Sequence, residues 1–430
     1  MLSVSASAAS SEADAASRDA PSRAYASYVL ALLTLVYAFN YLDRQLLSVL
    51  MEPVKREFGV SDGQLGMLTG FLFAAIYTVA GIPVARIADV AGRKLVLAVS
   101  LAIWSAMTAL TGFVGSFAQL RLARVGVALG EAGGTPPSFA LISDIFPPER
   151  RATALGIFAT GVSFGTLLGN VLGGWIGQAY GWRAAFIWLG LPGLLLALIL
   201  ALTVREPKRG AAPPDVSFPE VLRVLFSQPT FVWMAAGVSL AAFAGYGFGM
   251  WKPAFLMRVH DFPLRTAGIA IGVVNLFTGV ASSFLGGYLA DRLGRRDPRW
   301  PLRVAALSAL AGLPVNVAFL LWPDPWFALI GISLIGVAGG MWPPPTYAAS
   351  QALVPPHMRA RATAILLFFL NLVGLGLGPW WIGELSDVLE PAHGELSLRY
   401  ALVSAMFAYP LGAYCYWRAS RAAGEAAARA

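Results

Sequence analysis

The stretch ARIADVAGRK, Ala85 to Lys94, recurs as GYLADRLGRR, Gly287 to Arg296. The shift is 202 positions, and with no gap it also lays Gly66 on Gly268 and Gly70 on Gly272. Two further matches need small insertions: GGTPPSFA (133–140) with GGMWPPPTYA (339–348), and ERRATALGIF (149–158) with RARATAILLF (359–368). Two apolar helices resemble each other by chance. Charged loop motifs in the same order and at nearly the same spacing do not. The second half of the chain is a copy of the first, and that repeat decides the architecture.

Around these motifs the chain is too apolar for a soluble surface. Of its 430 residues 57% are hydrophobic and 13% charged, against roughly 25% charged in a soluble domain. Its 45 glycines and 13 tryptophans suit a polytopic membrane protein, where Gly is frequent in spans and Trp gathers at the interfaces. Apolar runs of about 20 residues, enough to cross roughly 30 Å of hydrocarbon, predict twelve spans. They cover approximately 27–50, 62–85, 95–115, 118–143, 153–177, 182–204, 230–256, 265–290, 302–322, 325–350, 361–386 and 397–417. The longest polar connection, REPKRGAAPPDVSFPEVLRVLFSQP, separates spans six and seven. The expected fold is an all-α integral membrane protein of two pseudo-symmetric six-helix bundles, at 25–204 and 229–419, joined by a cytoplasmic linker at 205–228. Residues 1–24 read as a disordered cytoplasmic tail rather than a signal peptide, and 420–430 as a second cytoplasmic tail.

Basic residues fix the expected orientation. With the N-terminus inside, sixteen Lys and Arg fall in cytoplasmic loops and six (Lys55, Arg56, Arg183, Arg258, Arg265 and Arg399) on the opposite side. Both termini are therefore expected in the cytoplasm, with the chain multi-pass in the inner (plasma) membrane. The net charge of +8 comes from these clusters and not from a folded basic face, which argues against nucleic acid. The single cysteine, Cys415, rules out an internal disulfide and a cysteine-based metal cluster.

Within the first span lies NYLDRQ, Asn40 to Gln45, where Asp43 and Arg44 are the only formal charges between Tyr25 and Met51. A charge in a bilayer costs several kcal/mol unless paired or hydrated, about 2.5–3.5 at the centre on insertion scales, so it is read as functional by default. Asp43 lies about 16 residues, roughly 24 Å, from the cytoplasmic end of its helix. The fourth span runs the other way, placing Arg124 at the depth of Asp43 and Arg44, with Glu131 near the middle. Arg124 and Glu131 are two turns apart on one face. These four are expected to line one water-filled cavity. A carboxyl moved between a desolvated and an Arg-paired setting binds and releases a proton, which makes Asp43 and Glu131 the proton-coupling candidates. The plainer reading is that the charges staple the first helix to the fourth.

The D-x-x-G-R-[RK] loops after the second and eighth spans resemble the signature loop of the major facilitator superfamily, and the 6+6 layout covers essentially the whole chain. Within it, NYLDR and RVGVALGEAGGTPPSFALISDIFPPERRATALG, Arg124 to Gly156, resemble spinster-like lipid transporters, and are similar also to organic anion and sugar-phosphate symporters. The resemblance implies two bundles rocking about a central site, with proton and substrate handled at the positions of Asp43, Arg44, Arg124 and Glu131. It also suggests a cytoplasmic gate from Asp89, Arg93, Asp291 and Arg295, with Asp144 as an acidic partner for Arg93. The stretch GTLLGNVLGG departs from the superfamily's antiporter motif, which has proline where Asn170 stands, so antiport is not read from it.

The C-terminal half offers Tyr246, Lys252, Trp342, Asn371 and Trp380, with few acids in its helices. Aromatics at helical spacing are more often packing than ligand contacts. The asymmetry, charged in one half and apolar in the other, still suits an amphipathic anion, with Arg44, Arg124 and Asn40 contacting it alongside those five residues. Gly161, Gly165, Gly169, Gly173 and Gly177, spaced by four, are expected to let two helices approach closely. GVSFG, Gly161 to Gly165, matches a hydrolase nucleophile elbow, but it lies within this helix of packing glycines. His260, His357 and His393 fall in predicted loops, and no nucleotide-binding loop is present. The expected protein is a monomeric proton-coupled transporter with no cofactor, whose partners are its substrate, protons and membrane lipids. A small organic anion or sugar acid is the alternative cargo. A membrane-embedded enzyme or a channel is disfavoured by the lack of clustered catalytic residues and by the 6+6 repeat.

Overall fold

In the computed structural model the described residues are 22–206, 218–355 and 358–429. Most of the predicted N-terminal tail, much of the linker, and His357 lie outside them. No strand occurs among the described residues. The membrane helices are α1 (Arg23–Val49), α2 (62–91), α3 (Arg93–Thr111), α4 (117–145), α5 (Pro148–Tyr180), α6 (Trp182–Thr203), α7 (Pro229–Val259), α8 (Leu264–Gly294), α9 (Trp300–Leu321), α10 (Pro325–Ala352), α11 (359–393) and α12 (397–429). Ten continuous helical stretches are long and apolar enough to cross a membrane. One of them, Arg361–Ala426, holds two spans, and α4, interrupted by a turn at 132–134, supplies the twelfth.

The chain reverses where its residues allow it. Gly92 at φ 105° separates α2 from α3, and Gly181 at φ 85° separates α5 from α6, both in a region that side chains disfavour. Ser61 and Gln64 form a reciprocal capping box that starts α2. Two ends run past their predicted limits. α11 reaches His393, which is helical rather than in a loop, and α12 continues through the Ala-rich segment to Arg429.

Glycines set the packing. Gly161, Gly165 and Gly169 lie against the backbone of α1 at Thr34, Ala38 and Leu42, so the predicted close approach is between α5 and α1. The seam between the bundles is formed chiefly by α2 with α11 and α5 with α8, and α1 also meets α7. A Cβ on Gly66 would stand 2.5 Å from the Pro379 carbonyl oxygen, and one on Gly70 2.5 Å from that of Gly376. Their repeat partners do the same opposite: Gly268 abuts Asn170 and Gly272 abuts Leu167. These four glycines, paired by the 202-residue shift, are all seam residues.

Candidate functional site

The buried charges of the first bundle meet around Phe73 of α2. Arg44 Nε donates to Glu131 Oε2 at 2.7 Å, tying α1 to α4. The guanidinium groups of Arg44 and Arg124 lie 5.1 and 4.4 Å from the Phe73 ring centroid, within cation–π range. Thr108 of α3 places its hydroxyl between the Asp43 carboxylate and the Trp104 carbonyl. Asn40, Asp43, Arg124 and Glu131 are all buried. In each of the four, one polar atom has no partner: Asn40 Oδ1, Asp43 Oδ1, Arg124 Nε and Glu131 Oε1. A buried unpaired polar group costs about 1–3 kcal/mol. Four in one cluster mark a site whose bonding is incomplete in this conformation. The helix spacing read from the sequence does bring Asp43, Arg44, Arg124 and Glu131 together.

Tyr246 of α7 joins them from the other bundle. It packs against the cores of both halves. The other C-terminal candidates disperse. Lys252 lies in a separate cavity within the second bundle. Trp342 is packed in that bundle's core, where its carbonyl accepts a hydrogen bond from Thr346 at 2.6 Å. Asn371 is half-buried in the π-helical turn Leu370–Leu377 of α11. Trp380 sits on the seam, its ring 5.7 Å from Phe71 of α2 and its Nε1 donating to Glu384 at 2.9 Å.

The two ends of the seam differ. Where α1 finishes and α2 begins, Arg258 of α7 reaches across to the first bundle. It donates to Glu52 at 2.5 Å and to both oxygens of Asp62 at 2.5 and 2.7 Å. Asp62 also accepts from Lys55 at 2.7 Å and from Ser386 of α11 at 2.8 Å. Asp387 caps α2 by accepting from the backbone N–H groups of Asp62 and Gly63. This end is clamped shut by a bidentate, buried ion pair.

At the opposite end Arg93 pairs with Asp144 as expected, and Glu206 caps α3 by accepting from the N–H groups of Arg93 and Lys94 at 2.8 and 2.9 Å. Arg93, Lys94 and Asp144 belong to the first bundle, and Glu206 to the start of the linker. Asp291 and Arg295 form no side-chain ion pair among the described residues, and the side chain of Asp89 lies outside them. The pair that is described at this end, Arg93 with Asp144, lies inside one bundle. Among the described residues no ion pair joins the two bundles here.

Residues 33–379 match the model of the Major Facilitator Superfamily. The chain belongs to that superfamily. A Mycolicibacterium smegmatis (strain ATCC 700084 / mc(2)155) protein described as an MFS-type efflux pump is 38% identical over 97% of both chains. A probable L-galactonate transporter of Escherichia coli (strain K12) is 28% identical over 72% of this chain and 71% of its own. Among solved structures, that of a bacterial homolog to the human lysosomal transporter Spinster, in an inward-facing and unoccupied conformation, superposes with a TM-score of 0.85. It is 32% identical and covers 94% of this chain and 98% of its own. This superfamily member is a multi-pass membrane transporter and not an enzyme.

No sequence signal singled out the clamp residues Glu52, Asp62, Arg258 and Asp387 in this facilitator. They stand at helix ends, where charges are ordinary, and Arg258 and Asp62 are 196 positions apart. Tyr41, Tyr77 and Tyr347 were missed because a tyrosine in an apolar span carries no signal of its own.

Proposed function

We propose that this protein is a proton-coupled secondary transporter that moves an amphipathic, anionic, lipid-like molecule by alternating access. It works as a monomer in the inner membrane with both termini in the cytoplasm. One observation carries the reading. Two buried carboxylates, Asp43 and Glu131, each have one oxygen engaged and one without a hydrogen-bond partner among the described residues, beside two guanidinium groups. Rocking the bundles changes what Tyr246 and an incoming anion offer Arg44 and Arg124. It thereby changes the charge that Asp43 and Glu131 each bear, which couples cargo to protons.

In this reading Asp43 and Glu131 carry the proton. Arg44 and Arg124 receive the anionic group as planar forks of donors, with Asn40 and Tyr246 beside them. Trp380 and Asn371 flank the cargo on α11. The clamp at Arg258 and Asp62 closes the outer end, so the described conformation is the inward-facing one, in keeping with the state described for the spinster homolog. The Arg93–Asp144 pair, with Asp89 and Asp291 at the ends of α2 and α8 and Arg295 just beyond α8, acts when the cytoplasmic end closes. The likeness to an efflux pump favours export.

A second reading, a symporter of a small sugar acid, is supported by the likeness to the probable L-galactonate transporter. Proteoliposomes holding the purified protein separate the two. Under an imposed pH gradient, movement of a lysophospholipid but not of galactonate is expected. Galactonate movement alone overturns the lipid assignment.

A further inference from the structure

Two hollows in the second bundle meet at one residue. The larger, of about 730 Å³, is an apolar groove between α8 and α10 that runs from Arg265 to Thr278. Its length is roughly 20 Å at 1.5 Å per helical residue, and Ile269, Val273 and Phe277 on its wall are exposed. The smaller, of about 330 Å³, is polar: Lys252, Asn275, Ser282, Ser283 and Asn316 line it. Thr278 lines both.

Lys252 is the unusual member. It is only 5% exposed. Among the described residues it has no carboxylate and no hydrogen-bond acceptor, only the rings of Phe319 and Phe248 at 4.9 and 5.7 Å. An isolated ammonium at membrane depth is costly without an anionic partner. The backbone beside it is irregular too. α10 passes through a π-helical turn, Ala328–Ile332, and a 3-10 turn, Gly336–Gly340, where it borders the two hollows. Such backbone is tolerated within a membrane where it lines a cavity, and π-turns gather at functional sites.

We propose that this groove and cavity form a lateral site for a single-chain anionic amphiphile, with its headgroup on Lys252 and its chain along α8 and α10. The amide of Asn275, the Asn316 N–H not donated to the Gly312 carbonyl, and the Ser283 hydroxyl complete the headgroup pocket, and the groove wall covers the chain. The site is distinct from the Asp43–Arg44–Arg124–Glu131 cluster and offers cargo a way in from the surrounding lipid. It rests on the reading that the cargo is an anionic amphiphile.

The test uses the purified full chain in phosphatidylcholine nanodiscs, with a palmitoyl lysophosphatidate bearing a diazirine on its chain and crosslinks mapped by mass spectrometry. Label is expected on 269–277 and 329–334. It should fall at least about tenfold, the equivalent of 1.4 kcal/mol, in Lys252→Met and in the groove-filling variant Val273→Trp. Arg44→Gln should leave it unchanged, and neither glycerol 3-phosphate nor monopalmitoylglycerol should compete. Groove label that survives Lys252→Met, or that glycerol 3-phosphate alone displaces, overturns the proposal. If wild type transports the lysophosphatidate while label maps only around Arg44, the lateral site falls and the transport reading stands. Groove labelling without transport does the reverse, and absence of both sinks the two together.

Discussion

The two bundles are copies of one repeat, yet their interiors differ. The first buries Asp43, Arg124 and Glu131 around Phe73, with Arg44 beside them. The second buries Lys252 in a polar cavity and fills the rest with aromatic and aliphatic side chains. What the copies share is the seam. Gly66, Gly70 and Gly268 each face a backbone that leaves no room for a Cβ, and Gly272 one that leaves it cramped. Steric need preserves a seam whatever the cargo, whereas a side chain facing the interior is held only by its task. Under the proposed function this difference is a division of labour, one half carrying the coupling charges and the other shaping the cargo's apolar part.

The comparison can be broken most forcefully at Arg44. Removing one partner of a buried ion pair costs about 3–5 kcal/mol, so Arg44→Ala should lower thermal stability sharply and abolish transport. Arg44→Ala/Glu131→Ala should recover much of the stability and none of the transport. An Arg44→Ala protein that melts like wild type would show that the cluster is not one electrostatic unit.

Next in size is the clamp. Each charge-assisted hydrogen bond of Arg258 contributes about 1.5–3 kcal/mol, so Arg258→Ala should shift the population toward opening at the Asp62 end. Spin labels on the adjoining ends of α1 and α7 should report longer distances. A distance distribution that stays put removes the clamp from the gating account.

Trp380, on the seam against Phe71, sharpens the division further. Trp380→Ala should weaken binding of long-chain cargo more than short, at about 0.8 kcal/mol for each methylene that loses its cover. Equal losses along a chain-length series would favour a small organic anion. The smallest effect is expected from Asp144→Asn, because the partly exposed pair with Arg93 contributes about 0.2–1 kcal/mol. A collapse in stability there would mean that the pair does more than orient one bundle.

Much of this was legible in the sequence. Twelve apolar runs and the 202-residue shift set the fold, and charges inside an apolar span are conspicuous because the bilayer makes them expensive. Depth along a helix is simple arithmetic at 1.5 Å per residue, which is why Asp43 and Arg44 could be matched with Arg124. Depth says nothing of the face a residue presents once helices pack. Lys252 was therefore grouped with Arg44, although it belongs to another cavity, and Trp342 was read as a cargo contact although it is packed in the core. The clamp was invisible because Arg258 and Asp62 come together only when the bundles do.

The central claim is that Asp43 and Glu131 couple protons to cargo. Its most direct test is transport in proteoliposomes with an imposed pH gradient, comparing wild type with Asp43→Asn and Glu131→Gln, which keep shape and remove the titratable group. Both variants should fail to concentrate cargo against its gradient while still exchanging it between equal concentrations. Gradient-driven accumulation at the wild-type rate in both variants would contradict the account.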